Sequence, residues 1–282
     1  MTSTFIYHSY KNLPLKATLH TPTNESKKGL ILYFHGGGLI FGNRNDLPMP
    51  YIKELTQAGY SLLALDYPLV PEVKLDVIMT CLETGIQNLA QMPELKHERV
   101  DHLIYFGRSA GAYLALQLAN SPCLKAPKQI ISFYGYYSLE EPLLTMPSEH
   151  YKEYKIVPFM TAHSLIQKTP IAEFPIEERF PIYLSYRQTG TWIKELLGRK
   201  NSASDFSLTK ENLAQLPPTF IAASYTDQDV PFQISQEMSQ LIPQTQTFFV
   251  ENMPHDFDSN LAFNEGINAY QSVISWLDNL NT

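Results

Sequence analysis

Apolar strand-like runs alternate with helix-patterned segments along most of the 282 residues, and this alternation limits the possible folds more than any single motif does. Runs such as Leu30-Ile31-Leu32-Tyr33-Phe34 and Leu103-Ile104-Tyr105-Phe106 are apolar or aromatic at every position, which suits a strand only when both faces of its sheet are covered. Helices between successive strands supply that cover. The expectation is an α/β fold, with a mostly parallel sheet of about eight strands and helices on both faces. Strands are expected near residues 5–10, 15–20, 30–35, 61–66, 103–107, 129–134, 219–224 and 247–250. Helices are expected near 49–58, 75–92, 110–119, 232–242 and 264–280, the last with Ala269, Val273, Ile274, Trp276 and Leu277 along one face. No long helix separates the first two strands, so they read as an antiparallel hairpin at one edge. From about 137 to 216 the pattern breaks into a Tyr-, Phe-, Pro- and Glu-rich stretch with helical pieces at 159–167 and 191–197 and no strand. So long an excursion between two strands is expected to be a lid or cap inserted into a single domain spanning 1–282.

The bulk numbers narrow the class of partner. A composition that is 44% hydrophobic and 17% charged can bury one large core. The formal net charge of −7, with no run of Lys and Arg, argues against nucleic acid or an anionic membrane surface and favours a small, neutral or modestly polar molecule. No basic stretch leads into an apolar core at the N-terminus, and no apolar run approaches the roughly 18 residues that span a bilayer, so a cytoplasmic protein without stable membrane anchoring is expected. Cys81 and Cys123 are not flanked by ligand-spaced His or Cys and are expected to be buried free thiols. No metal site or cofactor is expected, and the oligomeric state stays open.

Three features carry chemistry. Ser109 stands in Gly107-Arg108-Ser109-Ala110-Gly111, between the strand run at 103–107 and the helical stretch that follows, where flanking glycines permit a sharp strand-to-helix turn. About one chain in ten of this length carries a GxSxG by chance, so the motif needs company. A serine hydroxyl needs a base to take its proton and donors to hold the resulting oxyanion. His35-Gly36-Gly37-Gly38 follows the buried run at 30–34, and consecutive glycines let backbone N–H groups converge on one point. The glycine spacing, and Leu39-Ile40-Phe41 where a helix should begin, exclude a phosphate-cradling turn.

Among eight histidines, His255 lies just after the last strand, at the carboxyl edge where open α/β sheets keep their sites. His35 is expected to orient the glycine loop, His97 and His102 to lie on the far edge, and His150 and His163 to sit on the surface of the insertion, with contact to substrate as the alternative. The acid that orients the base is expected after the preceding strand, where Asp227 emerges first and Asp229 is the alternative.

The order Ser109, Asp227, His255 is that of an α/β-hydrolase sheet, and nearly the whole chain resembles the hormone-sensitive-lipase-like and carboxylesterase group of that superfamily. HGGG at 35–38, GRSAG at 107–111, Asp66-Tyr67-Pro68-Leu69-Val70-Pro71-Glu72 (similar to the family's DYRLAPE), Asp-x-x-Val-Pro from Asp227, and His255-x-Phe257 carry the likeness. The resemblance implies an α/β-hydrolase fold, oxyanion donors at Gly37, Gly38 and Ala110, and hydrolysis of small, short-acyl esters through an acyl-enzyme. An amidase, formamidase or peptidase with the same triad is the alternative, and a ligand-binding protein on a hydrolase scaffold is a further one. Arg108 before the serine, Ala112 in place of a second glycine, and the lack of an N-terminal cap segment depart from the group. Arg108 is expected to pair with an acid below the turn or to meet an anionic part of the substrate.

Overall fold

The computed structural model describes residues 1–22 and 27–280. The strands among them are β1 (Thr2–Tyr10), β2 (Leu13–His20), β3 (Gly29–Phe34), β4 (Tyr60–Leu65), β5 (Leu103–Arg108), β6 (Gln129–Phe133), β7 (Thr219–Ser224) and β8 (Thr245–Val250). They form one eight-stranded sheet in the order β1-β2-β4-β3-β5-β6-β7-β8. β1 pairs antiparallel with β2 and β2 antiparallel with β4, while every pair from β4 to β8 is parallel. The hairpin edge is where it was expected.

Alternation along each strand divides the core. Leu30, Leu32 and Phe34 of β3 join one buried cluster, and Ile31 and Tyr33 join the other. The first face is covered by α2 (Leu75–Gln87), α3 (Ala110–Ala119) and α10 (Phe232–Leu241), the second by α1 (Met49–Gln57) and α11 (Asn264–Leu280). α11 buries Ala269, Tyr270, Val273 and Leu277, the stripe that its 3.6-residue period selects. α2 ends at Gln87 instead of running to residue 92, because Asn88 caps it and a 3-10 turn at Leu89–Gln91 follows ahead of Pro93.

Between β6 and β7 the chain forms α4 (Pro142–Thr145), α5 (Glu149–Lys152), α6 (Phe159–Ser164), α7 (Ile176–Thr189), α8 (Trp192–Leu197) and α9 (Lys210–Leu213), with no strand among the described residues. The longest of these, α7, has no counterpart among the sequence expectations. It buries Arg179, Ile182, Tyr183, Leu184, Ser185, Tyr186 and Arg187, so polar and apolar residues are buried on the same turns and no amphipathic stripe shows. Pro181 inside the helix further disguises it. The segment is tied to the sheet body by a buried ion pair: Arg179 donates from Nη1 and Nη2 to Glu72 at 2.6 and 2.8 Å, and also to the carbonyls of Val70 and Ile40 at 2.6 and 3.0 Å. Both side chains of the pair are 1% exposed or less.

No helix among the described residues is long and apolar enough to cross a membrane. Cys81 is buried as expected, but Cys123 is exposed, because it falls after α3 in the polar loop Ser121-Pro122-Cys123-Leu124-Lys125 instead of on the helix.

Candidate active site

Ser109 occupies a turn that only its neighbours make possible. Its φ of 54° and ψ of −121° are strained for a residue with a side chain. β5 ends at Arg108 and α3 begins at Ala110, so a single residue turns the chain from strand to helix. A Cβ on Gly107 would overlap the backbone of Gly111, and a Cβ on Gly111 would overlap the carbonyls of Phe34 and His35. The Ser109 N–H donates to the Phe133 carbonyl at 2.9 Å, and its own carbonyl accepts from Ala112 and Tyr113 at 2.9 and 3.1 Å. These bonds hold the strained residue in place.

The loops after β5, β7 and β8 bring Ser109, Asp227 and His255 together. Ser109 Oγ lies 2.9 Å from His255 Nε2, and His255 Nδ1 lies 2.6 Å from Asp227 Oδ2. The carboxylate can only accept, so in the neutral ring Nδ1 carries the proton and Nε2 is the nitrogen that accepts from the serine. The Asp227 side chain is 1% exposed and its Oδ1 accepts from the N–H groups of Asp229 and Val230 at 2.8 and 2.9 Å. Burial opposes charge on the His255 ring. Asp227, by its charge and its hydrogen bond, together with the charges of Asp229 and Asp256, outweighs that and raises the pKa to about 9. Asp229, the alternative acid, does not meet Nδ1: its Oδ2 is 4.0 Å from Nε2.

The glycine loop folds back over this group. Gly37 and Gly38 have φ of 94° and 59°, and a Cβ on Gly38 would run into the ring of Tyr183 from α7. The Trp192 indole of α8 donates to the Gly38 carbonyl at 3.0 Å. No backbone carbonyl among the described residues takes the N–H of Gly37, Gly38 or Ala110. Ala110 is the first residue of α3, where an N–H has no partner within its own helix and the helix dipole favours negative charge. His35 is fully buried, stacked on Tyr67 with centroids 4.1 Å apart, and donates from Nδ1 to the Gly36 carbonyl at 2.9 Å. It braces the loop as expected.

A profile of the alpha/beta hydrolase fold family matches residues 31–259, a span that begins in β3 and ends beyond His255. The chain belongs to the α/β-hydrolase family. A Staphylococcus aureus (subsp. aureus Mu50) protein of unknown function is 30% identical, with a TM-score of 0.88 and 99% of this chain and 100% of that one covered. Carboxyl esterase 2 of the fungus Tuber melanosporum shares the fold at 18% identity and a TM-score of 0.69, over 98% of this chain and 86% of that one. Among curated relatives, the non-reducing polyketide synthase ausA of Penicillium brasilianum is 31% identical over 166 residues, 53% of this chain. The match spans only 7% of that relative's length.

In this α/β-hydrolase the serine opens onto a cavity of about 550 Å³, also lined by Gly37, Gly38 and His255. Ala110 does not line it. Phe41, Tyr151, Tyr154, Ile176, Phe180 and Tyr183 make one wall, and all but Phe41 come from the segment between β6 and β7. His150 also lines the cavity, the alternative to the surface placement expected of it, because α5 sets it beside Tyr151 and Tyr154. His163 is exposed, and His97 precedes the amino end of β5, the opposite end of that strand from Ser109, as expected. Arg108 pairs with an acid below the turn: Nη2 donates to Asp258 Oδ1 at 3.1 Å and to Ser259 Oγ at 2.9 Å, and Nε donates to Tyr134 Oη at 2.7 Å. Tyr134 in turn donates to Asp258 at 2.6 Å and packs its ring 4.6 Å from that of His255. Sequence reasoning did not single out Tyr134. Its only local mark is its place directly after a sheet strand at the carboxyl edge.

Proposed function

We propose that the protein is a serine hydrolase of small carboxylic esters. The observation that carries this reading is the continuous hydrogen-bonded path from Asp227 through His255 to Ser109, ending at a cavity with an aromatic wall. Ser109 Oγ attacks the ester carbonyl carbon as His255 Nε2 takes its proton, and Asp227 holds the imidazole with Nδ1 protonated. The N–H groups of Gly37, Gly38 and Ala110 receive the oxyanion, each donor contributing about 3 kcal/mol of barrier reduction. Nε2–H then passes its proton to the leaving alkoxide, which departs as the alcohol. Water, activated by the same ring, releases the acid from the acyl-enzyme.

Residues 137–216 are proposed to act as the lid, their aromatic wall holding the acyl or alcohol part of the substrate. The fold shared with a carboxyl esterase supports the choice of esters. The test is burst release of p-nitrophenol from short acyl esters, lost in Ser109→Ala. Turnover that persists in that variant would sink the assignment, and matched anilides measure any amidase activity.

A further inference from the structure

Asp227 and Asp229 leave the same turn, yet they stand beside different nitrogens of one ring. Asp227 takes the Nδ1–H, while Asp229 Oδ2 stands 4.0 Å from Nε2, the atom that also faces Ser109 Oγ. The Asp229 carboxylate is clamped from α7. Tyr183 Oη donates to both of its oxygens at 3.0 Å, and Arg187 Nη2 lies 3.2 Å from Oδ1 and donates to the Asp229 carbonyl at 3.1 Å. Arg187 is itself 2% exposed, with its guanidinium over the rings of Trp192, Tyr151 and Tyr183 at 4.9, 5.5 and 5.8 Å. Its Nε and Nη1 have no hydrogen-bond acceptor among the described residues. A charge so buried is compensated by the aromatic faces and by Asp229, so the carboxylate cannot swing away without leaving the arginine unpaired.

We propose that Asp229, held by Tyr183 and Arg187, is a positioning residue for His255, stabilising the protonated Nε2 between its removal of the Ser109 proton and its delivery to the leaving oxygen. This rests on the ester-hydrolysis reading. The bond changes are those of that reaction: O–H breaks at Ser109, N–H forms at Nε2, and the same proton then moves to the departing alkoxide. Asp229 stays ionised throughout, since Arg187, His255, Tyr151 and Tyr183 outweigh burial and keep its carboxyl below the usual range. The groups facing the ring are Asp227 and Asp229 from the turn after β7, Asp256 from its own loop, Ser109 from the elbow and Tyr134 from the end of β6, with Arg108 and Asp258 behind Tyr134. Through Asp229, α7 thereby reaches the proton-transfer step without touching the serine.

The test reads His255 in two ways in the full chain, by NMR titration of its ring and by the pH dependence of Ser109 labelling with a fluorophosphonate. Asp229→Asn keeps the shape and an acceptor for Tyr183 but loses the charge, and is expected to lower the His255 midpoint by about half a unit or more in both readouts. Tyr183→Phe is expected to move it the same way by less, as the clamp loosens. An unchanged midpoint in a folded Asp229→Asn protein, even with slower labelling at every pH, overturns the proposal and leaves Asp229 a structural residue. A shifted NMR midpoint with no labelling of the wild type supports the coupling and overturns the esterase reading instead.

Discussion

Asp227→Asn isolates one function at the residue scale, because an amide of the same shape can offer its NH2 to Nδ1 and so stabilise the wrong tautomer of His255. kcat is expected to fall by about 10⁴ with the melting temperature little changed, as measured by ester turnover and thermal denaturation. The pH dependence has a definite sign. The ring must be neutral to take the Ser109 proton and its pKa is raised to about 9, so the acid limb of kcat/KM is expected near pH 9, well above an ordinary histidine. Activity should rise with pH through that limb, and a midpoint near 6.5 would contradict the electrostatics drawn from Asp227, Asp229 and Asp256. The candidate reacting residues were legible in the sequence because each follows a sheet strand within five residues, where topology delivers it to one edge. Asp227 was preferred there to Asp229 because it emerges first from the strand, and it is the one that meets Nδ1; the place of Asp229, 4.0 Å from Nε2, was not legible, because it depends on how the folded turn directs a second carboxylate two positions on.

At the scale of elements, α7 is what binds the segment between β6 and β7 to the rest. Arg179 meets Glu72 near its start, Tyr183 covers Gly38, and Arg187 holds Asp229, so residues at a four-residue spacing join one helix face to three parts of the sheet body. Arg179→Met leaves Glu72 buried and uncompensated, and is expected to destabilise the fold by about 3–5 kcal/mol in urea titration. Adding Glu72→Leu to that variant should recover part of the loss, since the orphaned charge is then gone. The short acidic first turn at Glu177 and Glu178 and Gly190 at the end are the local signals of α7. They were outweighed by Pro181 and by a burial pattern without a polar face. By contrast, α11 and α3 were readable to the residue at both ends: α11 carries an amphipathic stripe, and α3 is an Ala- and Leu-rich apolar run that starts at the glycine-flanked serine turn.

At the scale of the whole molecule, the sheet edge supplies the candidate reacting groups and the inserted segment supplies most of the apolar wall, so the proposed esterase reading has substrate size set by the space between them. With about 550 Å³ for acyl group and alcohol together, kcat/KM for p-nitrophenyl esters should be greatest at short acyl chains. A fall of about tenfold by roughly twelve carbons is expected, measured across a chain-length series. The sequence alone determined the architecture and the candidate reacting residues, because strand periodicity, the two glycine motifs and chain order are local patterns that a parallel sheet converts directly into position. Only the tertiary structure decided which aspartate faces which nitrogen, where Arg108 and Arg187 find their counter-charges, and that His150 lines the cavity. Those outcomes depend on side chains contributed by segments distant in sequence, and they are selected by the cost of leaving a buried charge unpaired, which no local pattern records.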